Sequence, residues 1–106
     1  MARTLITVPK DAKRGDVVEV RALIAHPMET GFRVGADGQR VPRDILRRFT
    51  CRFDGEIVFA ADLFPAIAAN PYLAFTTVAT RSGEIVLSWT EDDGSVHVAS
   101  ARIEVE

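Results

Sequence analysis

Hydrophobic and polar residues alternate with a period of two along most of this chain, as they do in β-strands that place one face on a core. In residues 17–25, for example, Val18 and Ile24 share one face, and Glu19 and Arg21 lie on the other. The same alternation predicts strands at residues 4–8, 17–25, 48–53, 56–61, 72–81, 84–90 and 95–105. The dominant periodicity of hydrophobic residues is therefore that of an all-β protein.

Glycine-containing dipeptides separate these segments and predict turns. They are Asp37-Gly38, Asp54-Gly55, Ser82-Gly83 and Asp93-Gly94. Asp54-Gly55 fits a two-residue hairpin loop, because both central positions of a type I′ turn need positive φ. The last two strands are predicted to join across Asp93-Gly94. Their core face then consists of Ile85, Leu87 and Trp89 opposite Ala99, Ala101 and Ile103.

One segment, residues 62–71, departs from the alternation. Asp62 can cap a helix, Pro65 is tolerated in a first turn, and Asn70 is pushed out of the helical region by Pro71. This predicts one or two helical turns that cross between sheets. About seven strands in about 100 residues are typical of an immunoglobulin-like antiparallel β-sandwich. We therefore expect a single domain over residues 1–106 with this fold and a short helical crossover.

The composition narrows the function classes. Apolar residues make up 47% of the chain and charged residues 26%, which is ordinary globular usage. Thirteen basic against fifteen acidic residues give a net charge of -2, so a nucleic-acid partner is not expected. No apolar run approaches the roughly 18 residues of a membrane span, and the first ten residues lack the pattern of a signal peptide. The residues alone would predict a cytoplasmic protein.

His26, Met28 and Glu29 follow an apolar strand and suggest a metal or acid/base site. A zinc or copper site needs three or four ligands, and two histidines with one cysteine do not complete such a set unless Met28 or carboxylates join. The other interpretation is that His26, beside Pro27, orders the loop. In that case Glu29 is solvated and Thr30 shapes a turn with Gly31.

The remaining candidates have structural interpretations beside their functional ones. Cys51 can be a nucleophile, yet it alternates in phase with Phe49 and Phe53, as a buried thiol would. His97 falls in phase with the core positions of the last strand. The arginine cluster can receive an acidic partner or an oxyanion, and its default interpretation is a solvated surface. That cluster consists of Arg40, Arg43, Arg47, Arg48 and Arg52.

Three loop motifs carry a resemblance to a known family. They are the run Arg-Ala-Leu-Ile-Ala-His-Pro-Met-Glu-Thr-Gly at residues 21–31, Val-Pro-Arg at residues 41–43 and Asn-Pro-Tyr-Leu at residues 70–73. With them the chain closely resembles the SoxZ family of sulfur-oxidation proteins, from about residue 17 to the last residue. The eleven-residue motif is far more specific than a short catalytic pattern.

The resemblance implies a non-catalytic subunit without a cofactor. In this family the chain pairs with SoxY as a heterodimer, and SoxY carries the substrate on a cysteine of its glycine-rich C-terminal arm during thiosulfate oxidation. The resemblance also implies transient contacts with SoxXA, SoxB and SoxCD. It places the pair in the periplasm, exported on the signal of SoxY, which overrules the cytoplasmic prediction.

Two surfaces are predicted to bind partners. The first is the outer phase of the last hairpin, which is uncharged where solvated strands usually carry Lys or Glu, and SoxY is expected to cover it. It contains Val86, Ser88, Thr90, Val96, Val98 and Ser100. The second surface is formed by the loops that hold His26, Met28, Glu29, Thr30, Asn70 and Tyr72, which we expect to help present the carrier to its enzymes. The alternative function is a small metal- or ligand-binding β-sandwich protein that uses the His26/Glu29 loop.

Overall fold

The computed structural model describes residues 3–106, which form two β-sheets packed face to face. The strands are β1 (Thr4–Thr7), β2 (Asp11–Ala12), β3 (Val17–Ile24), β4 (Leu46–Phe53), β5 (Glu56–Asp62), β6 (Tyr72–Val78), β7 (Gly83–Glu91) and β8 (Val96–Val105). One sheet has the order β1-β3-β6 and the other has the order β2-β8-β7-β4-β5. All pairs are antiparallel except β2 with β8. The all-β sandwich is confirmed.

The alternation of the sequence sets which side chains form the core. Val18, Val20, Ala22 and Ile24 of β3 are buried, and the residues between them are exposed. Ile85, Leu87 and Trp89 of β7 are buried as predicted, with Ala101, Ala99 and His97 directly opposite on β8. Four aromatic rings, those of Phe49, Phe59, Phe75 and Trp89, connect the two sheets, and Phe59 stacks on Phe75 with 4.3 Å between centroids.

The strand count is eight because the first segment changes sheets. β1 pairs with β3, and after Pro9 the chain crosses to place β2 beside β8. Proline cannot donate a hydrogen bond to a ladder, so it stands at the change of sheet. Asp54 and Gly55 have φ of 47° and 88°, as the predicted type I′ hairpin turn requires.

The predicted helical crossover is absent from the described residues. β5 extends through Asp62, whose carboxylate pairs with Arg48 and caps no helix. The N–H of Leu63 continues the strand pairing by donating to the carbonyl of Arg47. A single turn follows, in which the N–H of Ile67 donates to the carbonyl of Phe64 at 3.0 Å. The described residues, 3–106, contain no helix with the length and hydrophobicity that a membrane span requires.

Candidate recognition site at one end of the sandwich

The segment of residues 25–31, here called the 25–31 loop, leaves β3 at one end of the sandwich. The N–H of Ala25 donates to the carbonyl of Arg3 at 2.8 Å. His26 and Asn70 are joined twice, because the His26 N–H donates to Asn70 Oδ1 at 3.0 Å and the Asn70 N–H donates to the His26 carbonyl at 2.8 Å. Asn70 has φ of 54°, a conformation that asparagine tolerates better than most residues. Two segments distant in sequence therefore form one surface.

Met28 fixes the conformation of the 25–31 loop through its backbone and its side chain. Its backbone has φ of 50°, and its N–H donates to Nδ1 of His26 at 2.9 Å. The side chain is buried, and its sulfur accepts a hydrogen bond from the N–H of Leu46 at 3.3 Å. Pro27 stands between the two residues and limits the backbone further. The loop thus has a defined conformation that depends on the His26 ring and on the methionine side chain.

The second half of the 25–31 loop is held against residues near β4. Glu29 and Asp44 exchange backbone hydrogen bonds of 2.8 and 2.9 Å, and the Glu29 carboxylate pairs with Arg33. The hydroxyl of Thr30 accepts a hydrogen bond from the Phe32 N–H at 3.1 Å. Gly31 has φ of 88°, and a Cβ at this position would stand 3.0 Å from the Cβ of Arg43. Both the backbone conformation and the space therefore require glycine there.

Glu91, the last residue of β7, connects this loop to the hairpin between β7 and β8. One carboxylate oxygen accepts from Nε2 of His26 at 2.7 Å. The other lies 2.9 Å from Nε2 of His97 and 2.7 Å from the Ser95 hydroxyl, which donates to it. The Glu91 side chain is 16% exposed. One carboxylate therefore joins two histidines from different parts of the fold.

These contacts favour the charged form of Glu91. The hydroxyl of Ser95 has the largest effect, and His26 and His97 add to it, so the pKa of Glu91 falls to about 2 although burial acts in the opposite direction. A carboxylate with this pKa is ionised at any physiological pH. It is a fixed negative charge that orients the histidines.

Ligand atoms of His26, Asp44 and Glu91 lie within 4.8 Å of one another, so this group is the natural place to test for a metal. Nδ1 of His26 accepts the Met28 N–H, and therefore the proton of the neutral ring resides on Nε2. A metal bound at Nε2 would move that proton to Nδ1, where it would face the N–H of Met28. The hydrogen bond that shapes the loop thus opposes metal binding at His26. The side chain of Glu29 is directed to Arg33 and belongs to no metal-ligand group among residues 3–106.

Cys51 lies in the centre of the sandwich, opposite Leu87 and Phe59 on the neighbouring strands. It is fully buried, and burial raises the pKa of its thiol to about 11. The thiolate is the reactive form of cysteine, so this environment keeps the group unreactive.

The arginine cluster is largely engaged by neighbouring acids and backbone. Arg43 forms two hydrogen bonds of 2.9 Å with the carboxylate of Asp92, and Arg48 pairs with Asp62 at 2.8 Å. The Arg47 guanidinium donates to the carbonyl of Glu91 at 3.1 Å. These pairings fit the interpretation of the cluster as a surface feature, since the positive charges of Arg43 and Arg48 are neutralised locally.

The predicted site residues fall into three places. His26, Met28, Glu29, Thr30 and Asn70 lie together at the loop end of the sandwich. Tyr72 begins β6 and lies on the outer face of the three-stranded sheet, where it is opposite Leu23. Val86 and Val98 lie on the outer face of the five-stranded sheet.

Glu91 organises the site, and it was not among the residues predicted from the sequence. A usable signal was present, because Glu91 continues the inward phase of Ile85, Leu87 and Trp89, so that a carboxylate ends a row of core residues. Its partner His26 lies 65 positions away, which no local pattern reveals.

Solved structures similar in fold to this chain include proteins of two kinds. A superoxide reductase (neelaredoxin) variant from Ignicoccus hospitalis is 21% identical with a TM-score of 0.75, covering 97% of this chain and 79% of that one. The sulfur carrier protein SoxY from Chlorobium limicola f thiosulfatophilum is 15% identical with a TM-score of 0.67, covering 97% of this chain and 78% of that one. At these identities the likeness shows the fold alone.

A comparison with curated proteins finds no significant match. Among protein families, the model of the sulphur oxidation protein SoxZ matches residues 6–102. That range includes both strands and loops of the site described above, from β3 through the 25–31 loop to Glu91 and His97. The match covers nearly the whole chain, and the protein therefore belongs to the SoxZ family of sulfur-oxidation proteins.

Proposed function

We propose that this chain is the non-catalytic subunit of a SoxYZ sulfur-carrier complex. In this role it pairs with SoxY, which bears the substrate-carrying cysteine, and helps present the sulfur adduct to the Sox enzymes during thiosulfate oxidation. The observation that carries the proposal is the family match over residues 6–102. A SoxY protein also has the same fold, so the two subunits would be similar sandwiches.

The chemistry of the chain supports a non-catalytic role. Both ring nitrogens of His26 are engaged, one by the Met28 N–H and the other by Glu91. The thiol of Cys51 is buried and its pKa is raised to about 11, so it is a poor nucleophile. Under this proposal the reactive sulfur belongs to the partner subunit, and the residues of this chain hold and orient protein surfaces.

For SoxY we propose the outer face of the five-stranded sheet. A row of uncharged side chains crosses four strands there, from Ala60 through Thr50 and Ser88 to Val98. Val98 is 61% exposed and Val96 is 53% exposed. A row of uncharged side chains of this kind is suited to pack against another sheet. Arg52, which is opposite Val86, lies beside the row on the same face. The ion pair Arg48–Asp62 lies at one border of the row and would stand at the polar rim of such an interface.

For the transient contacts with SoxXA, SoxB and SoxCD we propose the loop end of the sandwich, in the periplasm. Glu29, Thr30 and Asn70 form this surface together with the start of β6 at Tyr72, which is exposed. His26 and Met28 are buried beneath it. They would therefore act by fixing the shape of the surface, so His26→Ala should leave pairing with SoxY intact and weaken turnover of the bound adduct.

The test of the pairing is co-purification of the two subunits after co-expression. Val98→Asp and Val86→Lys each place a charge on the proposed SoxY-facing surface, and we expect the double variant to lose SoxY. Val17→Asp is the matched control, because Val17 is 69% exposed but lies on the other sheet. Circular dichroism checks that each variant is folded.

The two parts of the proposal fail separately. If the unmodified chain does not retain SoxY, the carrier role is wrong. If SoxY stays bound to the Val86/Val98 double variant with unchanged affinity, the role stands and the surface is wrong.

A further inference from the structure

The ring of His26 has hydrogen-bond partners that only its neutral form satisfies. Nδ1 accepts the N–H of Met28 at 2.9 Å, and Nε2 lies 2.7 Å from the carboxylate of Glu91. A neutral imidazole accepts at one nitrogen and donates at the other, whereas an imidazolium donates at both. The side chain is only 5% exposed, so it is largely shielded from water. A proton on Nδ1 would therefore face the N–H of Met28.

The negative charges around the ring lie on its Nε2 side. Glu91 of β7 contacts Nε2 directly, and Oδ1 of Asp44, which precedes β4, lies 3.7 Å from the same nitrogen. The pKa of Glu91 is about 2, so this carboxylate stays ionised in mildly acidic solution. An imidazolium at His26 would keep its bond to Glu91. Proton uptake therefore changes the hydrogen bonding of the ring at Nδ1 alone.

The other charged groups near the ring are bonded elsewhere or exposed. Arg43 pairs with Asp92, Arg47 donates to the carbonyl of Glu91, Arg33 pairs with Glu29, and Arg3 is exposed. None of these arginines is bonded to a nitrogen of the His26 ring. The balance at this ring is therefore between two carboxylates, which favour a second proton, and the N–H of Met28, which opposes it.

His97 of β8 shares Glu91 with His26 but lacks this conflict. Its Nε2 lies 2.9 Å from the other carboxylate oxygen of Glu91. In the described part of the chain, no N–H donates to its Nδ1. A second proton on His97 would add a charge to an existing contact and would displace nothing. The two histidines thus differ in what faces the second nitrogen, which makes His97 an internal control.

We propose that His26 is a pH sensor that controls the shape of the 25–31 loop. In mildly acidic solution its ring takes a second proton on Nδ1, keeps the bond from Nε2–H to Glu91, and displaces the N–H of Met28. Met28 has φ of 50°, which residues other than glycine adopt rarely, so the loss of this hydrogen bond favours a different backbone conformation. Glu29 and Thr30 follow directly, and the surface that they form changes with Met28.

The change is confined to the end of the sandwich. The two hydrogen bonds between His26 and Asn70 use the backbone of His26, and its ring takes no part in them. The side chains that form the core carry no group that titrates in mild acid. The fold therefore persists while the loop rearranges. The sensor is a property of this chain alone and needs no partner.

The first experiment follows the ¹⁵N-labelled chain by NMR from about pH 8 to about pH 5, the range in which histidines commonly change charge. We expect Nδ1 of His26 to become protonated and the Met28 amide signal to move with the same midpoint. Protection of that amide from hydrogen exchange should fall about tenfold, which corresponds to the loss of one hydrogen bond. Circular dichroism checks that the fold persists. An Nδ1 that stays unprotonated to pH 5, or becomes protonated while Met28 is unchanged, would overturn the proposal.

The second experiment replaces the sensor. His26→Asn puts an amide oxygen in place of Nδ1, an acceptor that does not titrate, so the Met28 signal should keep its neutral-pH position throughout. His97→Asn is the matched control, because it makes the same change at the other histidine bonded to Glu91, and Met28 should titrate there as in the unmodified chain. A Met28 signal that still titrates in His26→Asn, or no longer does so in His97→Asn, would show that His26 is not the sensor. If His26→Asn does not fold, the titration of the unmodified chain decides alone.

Discussion

The connection between β3 and β4 contains two neighbouring regions that are built in opposite ways. In the 25–31 loop, His26 and Met28 are buried and hydrogen-bonded to distant parts of the chain. The next region, residues 32–41, is a small hairpin held by backbone hydrogen bonds of its own, Gly35 to Gln39 and Val41 to Arg33. Phe32, at its start, is 71% exposed.

The difference shows that the types of residue in a loop are a poor guide to whether the loop is a chemical site. The loop that contains a histidine, a thioether and a carboxylate uses them to fix its own shape. The neighbouring hairpin, whose one member of the candidate arginine cluster is Arg40, exposes Phe32 and Val34. In this protein the polar side chains position a surface, and the apolar side chains nearby are the ones left in solvent.

The largest expected effect concerns His26. His26→Ala removes the partner of the Met28 N–H and one partner of Glu91, and we expect it to lower the free energy of unfolding by about 3 kcal/mol. His97→Ala is the matched control, because it removes only a contact to the same carboxylate, and it should cost about 1 kcal/mol. Urea denaturation measures both. Equal losses would mean that the bond to Met28 contributes nothing.

The next effect is a pH dependence that originates in Glu91. Its pKa is about 2 in the folded chain against an ordinary value of 4.5. A lowered pKa gives stability that is fully present above the ordinary value and is lost as the pH falls through the folded value. We therefore expect up to about 3 kcal/mol of stability that is present above about pH 5 and disappears towards pH 2.

Glu91→Gln isolates this contribution. Other carboxyl groups with lowered pKa, such as those of Asp54 and Asp92, are present in both proteins and cancel in the difference. The unfolding free energies of the two proteins should differ most at neutral pH and converge in acid. A difference that is constant from pH 7 to pH 2.5, measured by urea denaturation, would show that the charge of Glu91 does not matter.

The same contrast explains how much the sequence could predict. Strands such as β3 and β7 have a regular alternation because a sheet with one buried face demands it, and their core residues were predicted correctly. The Asp54-Gly55 turn was predictable from the φ values that a tight hairpin requires. The motif of residues 21–31 indicated the family, which the match over residues 6–102 confirms.

What failed were features decided by contacts between distant residues. The helix predicted after Asp62 did not form, because Arg48 engages the carboxylate that was expected to cap it and Leu63 continues the ladder with Arg47. Glu91 was overlooked because its partner His26 lies 65 positions away along the chain, in a loop that follows a strand of the other sheet. The short strand β2 was missed because two residues carry no periodic signal.

The smallest expected effect concerns the exposed hairpin. Phe32→Ser should change the free energy of unfolding by less than about 0.5 kcal/mol, since a side chain that is 71% exposed makes few contacts to lose. Met28→Ser provides the comparison within the same connection, because it removes a buried side chain and the sulfur that accepts the Leu46 N–H. If Phe32→Ser were as destabilising as Met28→Ser in urea denaturation, the hairpin would have to pack against the sandwich in solution, and the division of this connection into a fixed loop and an exposed hairpin would be wrong.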